Sequence, residues 1–406
     1  MFSKLTRELR DQVDRTGAVL SANDRLRAVL FEPPPTASVE RDEPGGAHEP
    51  VRAGIGQDCR QSLTAAIAPL PNKVDWQVYD HCAAFTRLYA AYETFVNELV
   101  TAYVNQLPDL YGTYNDLPEV VSSHHRRGIG QILLKMGPSK QYRELDEGDV
   151  VRAISSGLRT TERYALIPAA FLLEGQNYRF NVITAIFGGI GFENCGQWIV
   201  RHSRMTEFMR VTRGEEDTPQ AELESFIEYR NEASHGIVEN IVGTDEIERI
   251  GEFVCVLGDV LAEMIELAVA KRKIELGTSQ SMGHVEEVHH RGVVAVARMS
   301  KTSVSVGDQV ILYDGRTCKK TRVESLQLDN IDQQRIDAED GQRVGIRFST
   351  TVRHGSVLYR PVSPAEPSMQ LTIEEATSEP VEEILLEAQV QDEPDTIRTE
   401  PEEPLA

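Results

Sequence analysis

Arg230, Asn231 and His235 stand together in the stretch Ile227-Glu-Tyr-Arg-Asn-Glu-Ala-Ser-His-Gly236, at the end of an apolar-patterned segment. A guanidinium stays charged and forks onto phosphate oxygens. An imidazole gives and takes protons near neutrality, and a carboxamide can orient either group. The set suits phosphodiester transfer by acid–base catalysis: a proton leaves an attacking hydroxyl, another reaches the leaving oxygen, and a cation stabilises the charge that develops. The same residues would also serve simply to cap a helix end and meet its dipole. Spacing by itself carries no weight. With ten His and 33 Arg (42 Lys+Arg less nine Lys) in 406 residues, an Arg five positions before some His is expected 10 × 33/406, about 0.8 times, by chance. The elements that hold these residues decide the matter.

From Asp75 onward, Phe85, Leu88, Tyr89, Tyr92, Phe95, Val96, Leu99 and Tyr103 recur at intervals of three and four, and Pro108 closes the run. That spacing predicts a long core helix. Glu93 lies on its margin, one turn after Tyr89, where a solvated flank residue is the plain reading. The helix that carries Arg230 opens with Thr218 as cap, Pro219 at its first position, and Glu222 and Glu224 at the positive dipole end. Leu223, Phe226 and Ile227 form its apolar stripe, which sets Arg230 on the core-facing edge. In a continuous helix His235 would point about 140° away from Arg230. Gly236 predicts a break near Ser234 to Gly236, where the two side chains can converge. Asp245 with Glu248 then fits a cap, and Ile250, Phe253, Val254, Leu257, Leu261, Met264 and Ile265 continue at helical spacing to Lys271-Arg-Lys273.

An Arg-Asn pair followed by a His and a Gly, between two amphipathic helices and after a long helix with an acid on its margin, resembles the signature of the HEPN superfamily. These are helical domains that cleave RNA. The segment Asn177-Tyr-Arg-Phe-Asn181 leading to Phe187-Gly-Gly-Ile-Gly191 is similar to the middle of the RiboL-PSP and MAE-type subgroup. The resemblance covers about 75 to 275 and implies a metal-independent endoribonuclease that leaves a 2′,3′-cyclic phosphate and a 5′-hydroxyl. It implies catalytic roles for Arg230, His235, Asn231 and Glu93, no cofactor and no metal, and a homodimer whose two motifs form one composite cleft. A toxin or defence role is a frequent context of that family. The alternative is a non-catalytic RNA-binding or regulatory protein.

Between the two halves of the motif, helices are expected over Val120 to Met136, Asp149 to Leu158 and Thr161 to Leu173. Ser122-Ser-His-His-Arg126-Arg127 interrupts the apolar pattern. It reads as a solvated basic turn, with Arg126 and Arg127 as phosphate contacts if RNA binds. Adjacent imidazoles point about 100° apart on a helix, so they are no metal pair.

A second domain begins near His284. Gly292 to Arg298, Ser303 to Gly315, Arg322 to Leu328, Gly341 to Phe348 and Gly355 to Tyr359 alternate apolar and polar residues and break at Gly and Asp. About six short strands predict a small closed barrel. Their order resembles the second, β-barrel domain of elongation factor Tu, without any accompanying GTPase domain.

The expected organisation is therefore multidomain α + β. It comprises a helical appendage over 1–30, a Pro/Gly-rich linker over 31–58, a helical bundle over 59–275, the barrel over 284–361 and an acidic tail over 362–406. The tail holds 13 Asp+Glu against Arg398 alone, a contribution of −12 to the formal net charge of −22 and leaving −10 for the rest. Such an acidic chain binds nucleic acid only through local basic patches. RNA is the expected partner, with a possible protein partner for the barrel or tail. Five scattered cysteines form neither a disulfide framework nor a zinc set. No signal peptide or membrane span is evident, so the cytoplasm is the expected compartment.

Overall fold

The computed structural model describes residues 2–31, 71–136, 142–159, 163–173, 177–214, 217–235, 238 and 240–361. The expected linker beyond Phe31 and the acidic tail lie outside these residues. The helical part comprises α1 (Phe2–Phe31), α2 (Lys73–Val104), α3 (Leu107–Leu110), α4 (Glu119–Lys135), α5 (Glu147–Leu158), α6 (Phe180–Gly189), α7 (Cys195–Arg201), α8 (Ser203–Thr212), α9 (Pro219–His235) and α10 (Thr244–Glu275). Among the described residues no helix is long and apolar enough to cross a membrane.

Helices α2 and α10 are the central pair. Their apolar stripes, with Phe85, Tyr92, Leu99, Phe253, Leu257 and Leu261, enter one continuous core. The expected N-terminal appendage is a layer of this bundle, because Phe2, Leu9, Val13 and Leu20 of α1 join the same core. Two glycines of α10 make room for α1. A Cβ on Gly251 would stand 2.7 Å from Val13, and one on Gly258 2.7 Å from Leu9. Arg27 of α1 pairs with Asp80 of α2 out of solvent. The helix α10 starts at Thr244 behind Gly243, which makes no side-chain cap. The expected Asp245–Glu248 cap is therefore replaced: Asp245 sits in the first turn, and Glu248 instead accepts from Ser21 of α1 at 3.0 Å.

Two further expectations are corrected. Residues 163–167 form no helix and only Pro168–Phe171 turns helically, as a 3-10 segment. Pro168 lacks an N–H and disfavours helical geometry in the residue before it, which outweighs the apolar spacing. The Ser122–Arg127 stretch is the middle of α4 and not a solvated turn. Arg126 and Arg127 are exposed, whereas His125 is fully buried. Its ring is built in: Ile167 N–H donates to Nε2 at 3.1 Å, and Nδ1 lies 3.0 Å from the Tyr114 hydroxyl. With Nε2 accepting, the proton resides on Nδ1 and the ring is neutral.

The C-terminal part comprises β1 (Ser281–His289), β2 (Val294–Met299), β3 (Thr302–Ser305), β4 (Gln309–Tyr313), β5 (Cys318–Leu328), β6 (Ile331–Gln333), β7 (Arg335–Ala338), β8 (Arg343–Phe348) and β9 (Val357–Tyr359). Antiparallel pairing runs β4-β9-β1-β2-β8-β5 and returns from β5 to β4, which closes a six-stranded barrel as expected. The strand β6 extends β5, and β3 with β7 forms a separate ribbon. Val285, Ala295, Ala297, Leu326, Ile346 and Leu358 fill the interior.

Burial, and then the Arg126 charge, lowers the His125 imidazole to about 4 from its usual 6.5. The unfolded chain takes up this proton near pH 6.5 and the fold only near pH 4. Stability from this site is thus complete above pH 6.5 and falls as pH drops across that interval, by about 3 kcal/mol in all. Urea denaturation of wild type and His125→Gln between pH 7 and pH 4 should show a flatter pH dependence for the variant, together with lower stability at pH 7.

Candidate active site

The C-terminal half of α9 carries Arg230 against the margin of α2. Its stripe of Leu223, Phe226 and Ile227 is fully buried, so the next turn brings the Arg230 guanidinium onto the Tyr89 ring, 4.3 Å from the centroid. The cation is held from the side by two carboxamides. Its Nη1 donates to Asn177 Oδ1 at 2.8 Å and to Asn231 Oδ1 at 3.1 Å, and Asn177 Nδ2 donates to Asn231 Oδ1 at 2.9 Å. An arginine only donates, so both carboxamides must present oxygen to it, and the Asn177 amide is left to bond Asn231. Among the described residues Arg230 is bonded only through Nη1, which leaves its other N–H groups open to a further acceptor.

Asn177 begins a short strap across α2 and α9. Tyr178 N–H donates to the Tyr89 hydroxyl at 3.1 Å, and the Tyr92 hydroxyl donates to Tyr178 O at 2.9 Å. The Tyr178 hydroxyl donates to Asn97 Oδ1 at 2.5 Å. Arg179, just before α6, pairs with Glu224 of α9. Half-buried Glu93 belongs to the same surroundings. Burial first, and then the Glu93 charge, pushes the Tyr178 phenol up to about 12. Burial raises Tyr89 as well, with Glu93 adding to the rise and Arg230 opposing it. Both phenols are therefore neutral at physiological pH.

Arg230, Asn231 and Glu93 are thus brought to one place. His235 is not. The helix α9 runs regularly through His235, its last residue, which is exposed. The helix ends at His235, within the expected Ser234 to Gly236 break, but too late to turn His235 toward Arg230; Gly236 lies outside the described residues. The two side chains therefore diverge by about 140° within one chain. Among the described residues no hydrogen bond links His235 to Arg230. Arg126 and Arg127 stand on α4, with no described bond to this cluster.

Residues 39 to 274, more than half of the 406-residue chain, match the MAE_28990-like HEPN family. The chain is an HEPN protein. No curated protein matches it. In this HEPN domain the Arg-Asn…His signature falls on the last turns of α9, as its spacing predicts. Asn177, Tyr89, Tyr178 and Asn97 were not identifiable as site residues from the sequence. Asn177 precedes an apolar helix, but nothing local reveals a partner 53 positions away. Tyr89 is indistinguishable from its core neighbours until Arg230 is seen above it.

Tyr89→Phe keeps the ring beneath Arg230 and removes the acceptor for the buried Tyr178 N–H. A buried donor left without a partner costs about 1–3 kcal/mol. Equilibrium urea unfolding should read a loss of that order; an unchanged midpoint would mean that the strap is not held through this bond.

Proposed function

We propose that this HEPN protein is a metal-independent endoribonuclease acting as a homodimer. The observation that best supports the reading is the fixed guanidinium of Arg230, stacked on Tyr89 and held by Asn177 and Asn231. A cation already in place costs no reorganisation when charge develops on a five-coordinate phosphorus. In the proposed reaction the ribose 2′-oxygen attacks phosphorus and the bond to the 5′-oxygen breaks. The 2′-hydroxyl proton passes to a base, and the departing 5′-oxygen receives a proton, which leaves a 2′,3′-cyclic phosphate and a 5′-hydroxyl. His235 serves as the acid–base group. Asn231 and Glu93 act as positioning residues, the first directly on Arg230 and the second through Tyr89 and Tyr178. Arg126 and Arg127 give exposed phosphate contacts on α4.

Since Arg230 and His235 diverge along one helix, a site that uses both takes Arg230 from one protomer and His235 of the partner subunit. A second reading, RNA binding without cleavage, is favoured by the same divergence if no such pairing occurs. A toxin or defence role accords with the first reading. Induced expression should then slow growth for wild type and not for His235→Ala.

Each of Arg230→Ala and His235→Ala should lower cleavage of total RNA in EDTA by about 10²–10⁴-fold. Mixing the two inactive variants separates the geometries. Half of the re-formed dimers carry one of each, and each of these has one intact and one doubly damaged composite site, so about a quarter of the wild-type activity returns. Sites built within one protomer would return none.

A further inference from the structure

The junction of bundle and barrel holds a cleft of about 380 Å³ whose ten lining residues are all polar or charged. The helices α8 and α10 give one wall, and β4, β5 and the end of β8 give the other. Arg204, Lys320 and Arg322 supply three cations, and Glu263 and Glu324 two carboxylates. The lining carries one more cation than carboxylates, and two of its cations, Arg204 and Lys320, are paired with acids outside it.

The charged groups are fixed in place. Arg204 is held by Asp259 at 3.2 Å, and Lys320 by Glu266 of α10 at 2.7 Å. Glu324 lies 3.2 Å from Arg347, and Glu263 3.6 Å from His202 Nε2. Burial opposes ionisation of Glu263, but His202, Lys320 and Arg204 together outweigh it and hold the carboxyl below its usual range. Arg322 is exposed and has no side-chain partner among the described residues. Its backbone N–H orients the Ser349 hydroxyl at 3.0 Å, beside the Thr321 hydroxyl at 3.3 Å.

A lining of this mixed kind fits a ligand that offers anions and hydroxyl donors in alternation. A metal ion would meet three cations, and the acidic side chains of an acidic peptide would face two carboxylates. A ribose–phosphate chain offers both partners, and the 2′-hydroxyl distinguishes RNA from DNA. We propose that this cleft binds the sugar–phosphate backbone of single-stranded RNA, with Arg204, Lys320 and Arg322 on phosphates and Glu263 and Glu324 accepting from ribose 2′-hydroxyls. The proposal rests on the reading of the chain as an RNA-handling protein and gives the barrel a part in substrate binding.

The test uses the full chain carrying His235→Ala, to prevent cleavage, and a short labelled RNA with a DNA of the same sequence. Fluorescence anisotropy across a salt series gives the slope of log Kd against log salt. Loss of one phosphate contact on a single strand lowers that slope by about 0.7. Arg322→Ala should show one such loss, Arg204→Ala with Arg322→Ala about two, and Glu263→Gln should narrow the preference for RNA over DNA. Arg322→Ala carries the test alone if removing Arg204 from Asp259 unfolds the protein, which circular dichroism reports. Wild-type slopes and affinities in these variants would overturn the cleft proposal, as would binding of a polyglutamate peptide in place of RNA. Should wild type cleave RNA under that outcome, the nuclease reading stands. Should RNA bind through the cleft without cleavage by wild type, the cleft stands and the nuclease reading falls.

Discussion

A guanidinium withdrawn from bulk water loses several kcal/mol of hydration, and the housing of Arg230 answers that loss. Its face lies on Tyr89, an interaction of about 0.5–2 kcal/mol, and Nη1 makes two hydrogen bonds to carboxamide oxygens. Bonds to a charged group contribute about 1.5–3 kcal/mol each, net of the water they replace. This balance constrains the chain well beyond α9. It draws Asn177 inward, which stretches Tyr178 and Arg179 across the α2–α9 seam. Tyr178 then takes its bonds from α2, through Tyr89, Tyr92 and Asn97. The segment before α6 is tied at three successive residues for the sake of one cation.

What was legible in the sequence follows from the range of the forces involved. The stripes of α2, α9 and α10, the Thr218 cap and the alternation of the barrel strands are written in spacings of two to four residues, and the structure matches them. Thr218 Oγ1 accepts from Ala221 N–H at 3.2 Å, as a capping residue should. The misreadings share a different cause. Four consecutive polar residues, His124 to Arg127, look solvated until Tyr114 and Ile167 arrive to bond the ring of His125. The apolar run before Leu173 looks helical, yet Pro168 forbids it. The role of α1 was hidden because its partners, Gly251 and Gly258, signal close approach only once Val13 and Leu9 stand over them. Asn177 was hidden for the same reason.

The proposed site has two halves of unlike character. Arg230 is set in a network that holds it still, whereas His235 stands exposed at the end of its helix. That division suits a cleft completed by a second subunit: the cation is prepared by the fold, and the proton carrier is brought to it by association. In the proposed dimer, the end of α9 is where association and chemistry would become linked. Any displacement at the end of α9 changes the placement of His235 without disturbing Arg230, so activity can respond to assembly while the bundle itself stays intact.

Charge imposes the remaining constraint. Outside the 362–406 segment the chain still carries −10, which repels a polyanion at long range. At physiological ionic strength that repulsion fades beyond about 8 Å. RNA handling by such a chain therefore depends on short-range contacts whose cations are positioned in advance. Arg230 on Tyr89 and Lys320 on Glu266 are cations of this kind, each fixed by a partner within the fold. A protein that relied on a diffuse basic surface would need far fewer internal ties. In the proposed RNA-binding role, local geometry would have to supply the selectivity that overall charge cannot.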